Sequence, residues 1–196
     1  MPKFTQIPTD TFENLQINAG IIATAFEPDT GTLSAENIIG ATTGGVNFRD
    51  SVDYIDFGDD IDNCPKNTLE LKKINGRTVT MGGTLVTIKT AIGKKLAGAA
   101  DVAGTKITPR DVLKDTDFSD LWWIGDYSDV NEDSGSNVKA GFCAIKLINA
   151  LNTGGFQLQS SDRGKGQFAF EFTGHYSMAD INKVPYEVYI KEGVGE

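Results

Sequence analysis

Few residues of this chain could do chemistry, and they do not converge. His175 is the only histidine among the 196 residues. A metal site with two or more histidine ligands is therefore excluded, and a Ser-His-Asp triad would depend on this one side chain. Because His175 stands at a polar position near the end of an alternating run, a structural or surface role is favoured. We predict that the chain is not an enzyme and needs no cofactor.

Acidic side chains form the densest polar group. Six aspartates lie between Arg49 and Lys66: Asp50, Asp53, Asp56, Asp59, Asp60 and Asp62. They lack the spacing, the central glycine and the terminal glutamate of an EF-hand loop, so a calcium site there would be irregular. A solvated acidic loop is the plainer interpretation. Structureless connections of this length are usually either functional or disordered.

Two glutamates, Glu171 and Glu187, lie on predicted strands near the C-terminus. A pair of carboxylates on neighbouring strands is the grouping that a glycosidase uses. Carboxylates on the water-facing side of a sheet are far more often solvating groups, and we favour that interpretation.

Aromatic and sulfur side chains complete the inventory. Trp122 and Trp123 are adjacent, so on a strand they face opposite sides. We expect one to fill the core and the other to lie against a partner or a loop, with a carbohydrate platform as the alternative for the second. Cys64 and Cys143 are predicted to be free thiols, because cytosolic disulfides are rare.

Composition sets wider limits. Eighteen basic against 27 acidic residues give a formal net charge of −9, which argues against tight binding to nucleic-acid phosphates. The N-terminal residues have no apolar run like that of a secretory signal, and no window approaches the ~20 apolar residues of a membrane span. These features predict a soluble protein in one domain covering residues 1–196, with a single core.

Periodicity predicts mainly strands and one good helix. The run from Gln167 to Tyr176 alternates, with Phe168, Phe170 and Phe172 on one face. Apolar residues recur at four and three over Thr90 to Ala100, which predicts an amphipathic helix. A proline at a first helical position predicts a further short turn at Val112 and Leu113. The other predicted strands are residues 20–26, 38–48 (bent at its glycines), 77–88, 121–127, 138–148 and 184–190.

These elements favour a β-sandwich or half-barrel of two packed sheets flanked by an α-helix. Residues 1–19 have no clear period and are predicted to form an N-terminal arm. Residues 49–66 are predicted to form a long acidic loop. The strand at Gln167 to Tyr176 has no proline and no inward lysine to blunt a free edge, so we expect it or its neighbour to join the sheet of an adjoining subunit.

Several pieces, in their order along the chain, resemble the major tail (tail tube) proteins of long-tailed, non-contractile bacteriophages of Gram-positive hosts. Two blocks close to the C-terminus carry the resemblance most strongly, Gly154 to Ser177 and Pro185 to Ile190. The earlier pieces are Gly20 to Phe26, Asp56 to Asn63, Thr108 to Asp111 and Leu121 to Ser128. The resemblance covers most of the chain, although no single piece is diagnostic.

The resemblance implies a phage tail-tube-like fold and a structural virion protein, assembled in the host cytoplasm. Six subunits would form a ring, and stacked rings would form the tube through which double-stranded DNA passes without tight binding. Partners would be identical copies and the tape measure, tail terminator and distal tail proteins. The resemblance and the edge argument place subunit contacts at Asp53, Asp56, Asp59, Asp60, Asp62, Gln167 and Thr173. Glu171 and Glu187 are the candidates for the channel wall.

Two other functions fit the same features. One is a carbohydrate-binding β-sandwich module on a virion or cell surface, with Trp122 or Trp123 as its platform. The other is a tube protein of a secretion system, which would share the architecture and belong to a different machine.

Overall fold

The computed structural model describes residues 7–8, 11, 14–127 and 141–192. Within these ranges the chain forms one α-helix and nine β-strands. The helix, α1, is Thr90–Ala97. The strands are β1 (Ile21–Ala23), β2 (Thr42–Asp56), β3 (Lys72–Leu85), β4 (Ala100–Ala103), β5 (Lys106–Pro109), β6 (Ser119–Asp126), β7 (Phe142–Asn152), β8 (Phe168–Thr173) and β9 (Tyr186–Lys191).

Seven strands form one antiparallel sheet that folds over on itself at β7. The strand order is β1-β6-β7-β8-β3-β2, with β9 also paired to β7, while β4 and β5 form a separate two-stranded sheet. Most of β7 pairs with β6 and β9, but its last residues, Leu151 and Asn152, pair with β8. We call β1, β6, β7 and β9 the tryptophan half, and β2, β3 and β8 the hairpin half.

The main core lies between the two halves. It joins inward side chains of both, for example Met81 and Phe170 from the hairpin half and Leu121 and Leu147 from the tryptophan half. Helix α1 adds Ile92 and Leu96 to the same cluster. Burying each large apolar side chain contributes on the order of 1.5–3 kcal/mol. The mainly β class, with two packed sheet layers and one flanking helix, is therefore confirmed.

A second, smaller core covers the opposite face of the tryptophan half. Phe26, from the connection between β1 and β2, packs edge-on against Trp122 and Phe142, at centroid distances of 5.5 and 5.3 Å. Tyr189 packs against the same Trp122 ring. As predicted, one tryptophan fills a core.

The helix is confirmed, although it ends three residues earlier than predicted. Gly98 follows its last residue with a φ of 71°, a conformation that ends helices and favours glycine. The predicted turn at Val112 and Leu113 is wrong, because Thr108 and Pro109 end strand β5. The short 3-10 turn comes later, at Asp115–Asp117, where the Asp117 carboxylate accepts from the Lys114 amide at 2.9 Å.

The bend at the glycines of β2 is confirmed. Register against β3 shifts between Thr43 and Val46, and Gly44 and Gly45 between them have φ values of 74° and 81°. A β-bulge of this kind increases the local twist of a strand.

The long acidic loop predicted over residues 49–66 is wrong for its first part. Arg49 to Asp56 continue β2 and pair with β3 down to Lys72. Only the connection from Phe57 to Thr68 is irregular, and it leads into a 3-10 turn at Leu69–Leu71. Three of the six aspartates, Asp50, Asp53 and Asp56, therefore lie on β2, and the other three lie in the connection.

The free edge predicted at Gln167 to Tyr176 is confined to part of one side of β8, because β7 pairs there only with Phe172 and Thr173. Strand β8 pairs along its whole length with β3, from Thr80 opposite Thr173 to Leu85 opposite Phe168. Its other side meets the end of β7. The outermost strands of the described sheet are instead β1, β2 and β9.

Part of the predicted N-terminal arm lies outside the described residues, as does the start of the predicted strand at Val138. The described end of the predicted N-terminal arm is bonded to β6, because the Ile17 amide donates to the Asp126 carbonyl at 3.0 Å. Among the described residues, no helix is long and apolar enough to cross a bilayer.

Candidate assembly surface

The β2–β3 ribbon is longer than the sheet that supports it. Strand β8 covers β3 only from Thr80 to Leu85, so Lys72 to Val79 have β2 as their only strand neighbour. The seven steps from Lys72 to Val79 span roughly 23 Å. We call residues 51–78, which include the connection at the far end, the arm.

Apolar side chains on both faces of the arm are uncovered. Tyr54 and Ile74 are cross-strand partners on one face, with 53% and 51% of their surface exposed. Ile55 and Phe57 lie on the other face, and Phe57 is 54% exposed. Lysines lie over both aromatic rings, Lys72 at 5.2 Å from the Tyr54 centroid and Lys73 at 5.9 Å from that of Phe57. A two-stranded ribbon in water is marginally stable on its own. A partner that covers these side chains would therefore stabilise the arm.

Asp56 closes the end of the arm. Its carboxylate accepts hydrogen bonds from the Gly58 amide at 2.9 Å and the Asn67 amide at 2.7 Å. These two bonds lower the pKa of Asp56. Asp53 accepts from Asn75 Nδ2 at 2.6 Å. Asp59, Asp60 and Asp62 are exposed in the connection, and the described residues contain no acidic, histidine or cysteine cluster suited to a metal ion.

A polar cluster joins the root of the arm to β9. Asp50 Oδ2 accepts from the Arg77 guanidinium and from the Tyr186 hydroxyl, the latter at 3.1 Å. Burial and the bond to Asp50 both raise the pKa of Tyr186. The Tyr186 ring also packs on Phe48 of β2, with centroids 5.3 Å apart. The direction of the arm is thereby tied to the tryptophan half.

The outer face of the hairpin half carries small and polar side chains. Register places Asn47, Gly82 and Glu171 in one row, and Arg49, Thr80 and Thr173 in the next. A shallow cleft of about 450 Å³ opens on this face beside the glycines of the bulge. Glu171 is exposed there, while the Thr173 hydroxyl is 2.7 Å from that of Thr153. Gln167 is exposed where β8 begins, and its backbone pairs with Gln159.

Glu187 lies on a different surface from Glu171. It is half-buried on β9, where it accepts from the Lys183 ammonium at 2.9 Å and the Tyr189 hydroxyl at 2.7 Å. These bonds lower the pKa of Glu187, and the same contact raises the pKa of Tyr189 to about 12. The structure therefore does not bring the two glutamates to one site.

The remaining candidates for chemistry have structural contacts. His175 Nδ1 lies 3.1 Å from the Asn149 carbonyl, and its ring packs edge-on against Phe118. Trp123 is half-buried, and its Nε1 donates to the Ala19 carbonyl at 3.0 Å. The second tryptophan therefore lies against the residues that precede β1. Both cysteines are free, as predicted, and both are half-buried.

No protein-family model and no curated protein matches the chain. Among the solved structures that are similar to it is a chain of a structure described as "Virion of native gene transfer agent (GTA) particle". Sequence identity is 9% and the TM-score is 0.41, over 88% of this chain and 95% of that chain. At this level, the likeness establishes neither a common fold nor a common function.

Sequence reasoning missed the apolar residues of the arm. The signal was present in Asp50-Ser51-Val52-Asp53-Tyr54-Ile55-Asp56-Phe57, where Val52 and Tyr54 alternate with polar residues as they do on a strand. The density of aspartates hid this alternation, because aspartate is uncommon in strands.

Proposed function

We propose that this chain is a structural virion protein, not an enzyme, and that identical copies assemble into rings that stack to form a tail tube. The observation that carries this proposal is the arm, a ribbon that extends past its own sheet with uncovered apolar side chains on both faces. In the family that the sequence resembles, a long loop or hairpin near this place reaches a neighbouring subunit. The arm stands where the resemblance puts that element.

The outer face of the hairpin half suits the wall of a DNA channel. Its two central rows contain one cation, Arg49, and one anion, Glu171, among neutral side chains. DNA binding gains affinity mainly from lysine and arginine contacts to phosphates. A wall with so few cations would let a double helix pass without adhering, and the net charge of −9 acts in the same direction.

Free sheet edges support assembly as well. Strands β1, β2 and β9 each have one side without a strand partner in the described sheet. Exposed edges invite pairing with another chain. In the proposed tube these edges are covered by neighbouring copies, and the terminal rings contact the tape measure, tail terminator and distal tail proteins.

The carbohydrate-binding alternative has less support. Trp122 is buried under Phe26 and Tyr189, and the polar atom of Trp123 already has a partner. Neither ring offers the open face with adjacent polar groups that a sugar platform needs. A secretion-system tube would use the same surfaces, and neighbouring genes would distinguish the two machines.

A shortened arm tests the proposal. Residues 53–76 are replaced by Asn-Gly, which favours a two-residue hairpin turn between Val52 and Arg77. The main core does not include the removed residues, so we expect a folded monomer that no longer forms large oligomers as concentration rises. Analytical ultracentrifugation of both proteins provides the measurement. Oligomers of the shortened protein equal in size to those of the full chain would contradict the proposal.

A further inference from the structure

The inward face of the tryptophan half is apolar over three consecutive rows of residues. Strand register sets its residues in three rows across β6, β7 and β9: Leu121 with Leu147 and Tyr186, Trp123 with Ile145 and Val188, and Gly125 with Cys143 and Ile190. The polar side-chain atoms of these rows are the Tyr186 hydroxyl, Trp123 Nε1 and the Cys143 thiol. A sheet face that meets water normally carries polar residues, as the outer face of the hairpin half does.

Cover on this face decreases along β7 and β9, whereas Gly125 of β6 is buried. Leu121 and Leu147 are fully buried in the main core. In the next rows Trp123 and Ile145 are half-buried and pack against the edge of the main core. Cys143 is also half-buried, while Val188 and Ile190 are 48% and 64% exposed. The tryptophan half therefore extends past the hairpin half that covers it. We call the five residues Trp123, Cys143, Ile145, Val188 and Ile190 the apolar stripe.

The hairpin half has a matching overhang. Phe48 and Met81 are cross-strand partners on its inward face and pack in or against the main core. Tyr54 and Ile74 continue that inward face along the arm, and half of each is exposed. The two halves thus overlap only in part, and each leaves apolar residues of its packing face uncovered. The arm does not cover the β9 part of the stripe in its own chain, since Val188 and Ile190 are exposed there.

We propose that the apolar stripe of one copy receives the inward face of the arm of a second copy. This inference rests on the proposed function and names the surface that the arm contacts. The contact continues the packing between the halves within one chain, because the same two sheet faces meet. Two different surfaces are joined, so the contact is head-to-tail, and its repetition generates closed rings or filaments.

The chemistry of the stripe disfavours other occupants. Its only polar side-chain atom outside the thiol is Trp123 Nε1, which already donates to the Ala19 carbonyl. A nucleic acid or a sugar would find no charged group and no free side-chain donor in the stripe. Extended apolar surface of this kind is typical of contacts between proteins.

Thiol cross-linking tests this contact. In a Cys64→Ser background, Cys143 is the only native thiol and stands in the stripe. Ile74→Cys adds a second thiol on the inward face of the arm, and Ile55→Cys, on its opposite face, is the matched control. The assembled proteins are oxidised at alkaline pH, because burial raises the pKa of the Cys143 thiol, and separated on a denaturing gel without reductant.

We expect Ile74→Cys to give a ladder of covalent multimers, and this ladder to be lost in Ile55→Cys and when Cys143→Ser is added. Tubes without a ladder, equal ladders from both arm positions, or a link within one chain would overturn the inference while the proposed function stands. If the wild-type protein forms neither rings nor tubes, the proposed function fails instead. Should Ile74→Cys prevent folding, Tyr54→Cys is its substitute on the same face.

Discussion

Asp56 illustrates what single residues contribute to the arm. Its carboxylate holds the Gly58 and Asn67 amides at the two ends of the irregular connection. We predict that Asp56→Ala leaves the fold of the monomer unchanged but loosens this connection, because both amides lose their acceptor. Hydrogen exchange at Gly58 and Asn67 should accelerate. Asp59→Ala, at an exposed neighbour, is the control, and equal exchange in both variants would contradict the role of Asp56.

A second residue-scale prediction concerns the ion pair of Arg110 and Asp117. The Asp117 side chain is fully buried and accepts two bonds from Arg110, at 2.8 and 2.9 Å. Removing one partner of such a pair leaves a buried charge uncompensated. We expect Arg110→Ala to lower the free energy of unfolding by roughly 3 kcal/mol, measured by urea denaturation. Arg163→Ala, at an exposed arginine, should change little.

The same pair predicts a pH dependence. Burial acts to raise the pKa of Asp117, but the Lys114 amide and Arg110 outweigh it, and the pKa is lowered. A lowered pKa stabilises the fold above the unfolded value of about 3.9 and loses that contribution as pH falls through the folded value. The stability difference between wild type and Asp117→Asn should therefore shrink on acidification. A difference that is constant with pH would show that the charge of Asp117 contributes nothing.

At the residue scale, the sequence predicted the burial of side chains when that burial depends only on neighbouring residues of the same strand. Adjacent tryptophans must face opposite sides of a strand, and the structure buries Trp122 and half-buries Trp123. The hydrogen bonds of Asp56 could not be predicted, because its partners depend on the conformation of residues 57–67. Glu171 and Glu187 fall on different surfaces for a related reason, since pairing between distant strands decides which face each one occupies.

At the scale of elements, the arm and β9 are linked by Tyr186. Its hydroxyl donates to Asp50 at the root of the arm, and one such bond contributes about 1 kcal/mol. We predict that Tyr186→Phe frees the direction of the arm and raises the concentration at which oligomers form. Tyr189→Phe, on the opposite face of β9, is the matched control. The measurement is light scattering across a dilution series. Oligomers that form at the same concentration in both variants would contradict this link.

Element predictions succeeded where periodicity is strong. The alternation of Phe168, Phe170 and Phe172 gave β8, and the four-and-three spacing gave α1. The partner of β8 could not be predicted, because β3 lies some eighty residues earlier and no local feature encodes that pairing. The free-edge hypothesis was therefore only partly right, since β3 covers one side of β8 and β7 covers the other only at Phe172 and Thr173. The other free edges belong to β1, β2 and β9, and no local sequence feature distinguishes these strands from the central ones.

At the scale of the whole molecule, the fold consists of two sheet halves that overlap only in part. Within one chain the overlap forms the main core, while the arm and the apolar stripe extend beyond it. Periodicity predicted a mainly β protein and chain length predicted one core, whereas the structure has a main core and a second, smaller one. The offset between the halves arises from the register of β2 with β3 and of β7 with β9. Assembly of identical copies would cover both overhangs at once.

The central claim is that identical copies join around a hollow axis, and negative-stain electron microscopy of the concentrated purified protein tests it most directly. Rings or hollow filaments of uniform width are expected, and they should disappear when the arm is shortened. Particles that stay monomeric at every concentration, or solid aggregates without a central channel, would contradict it.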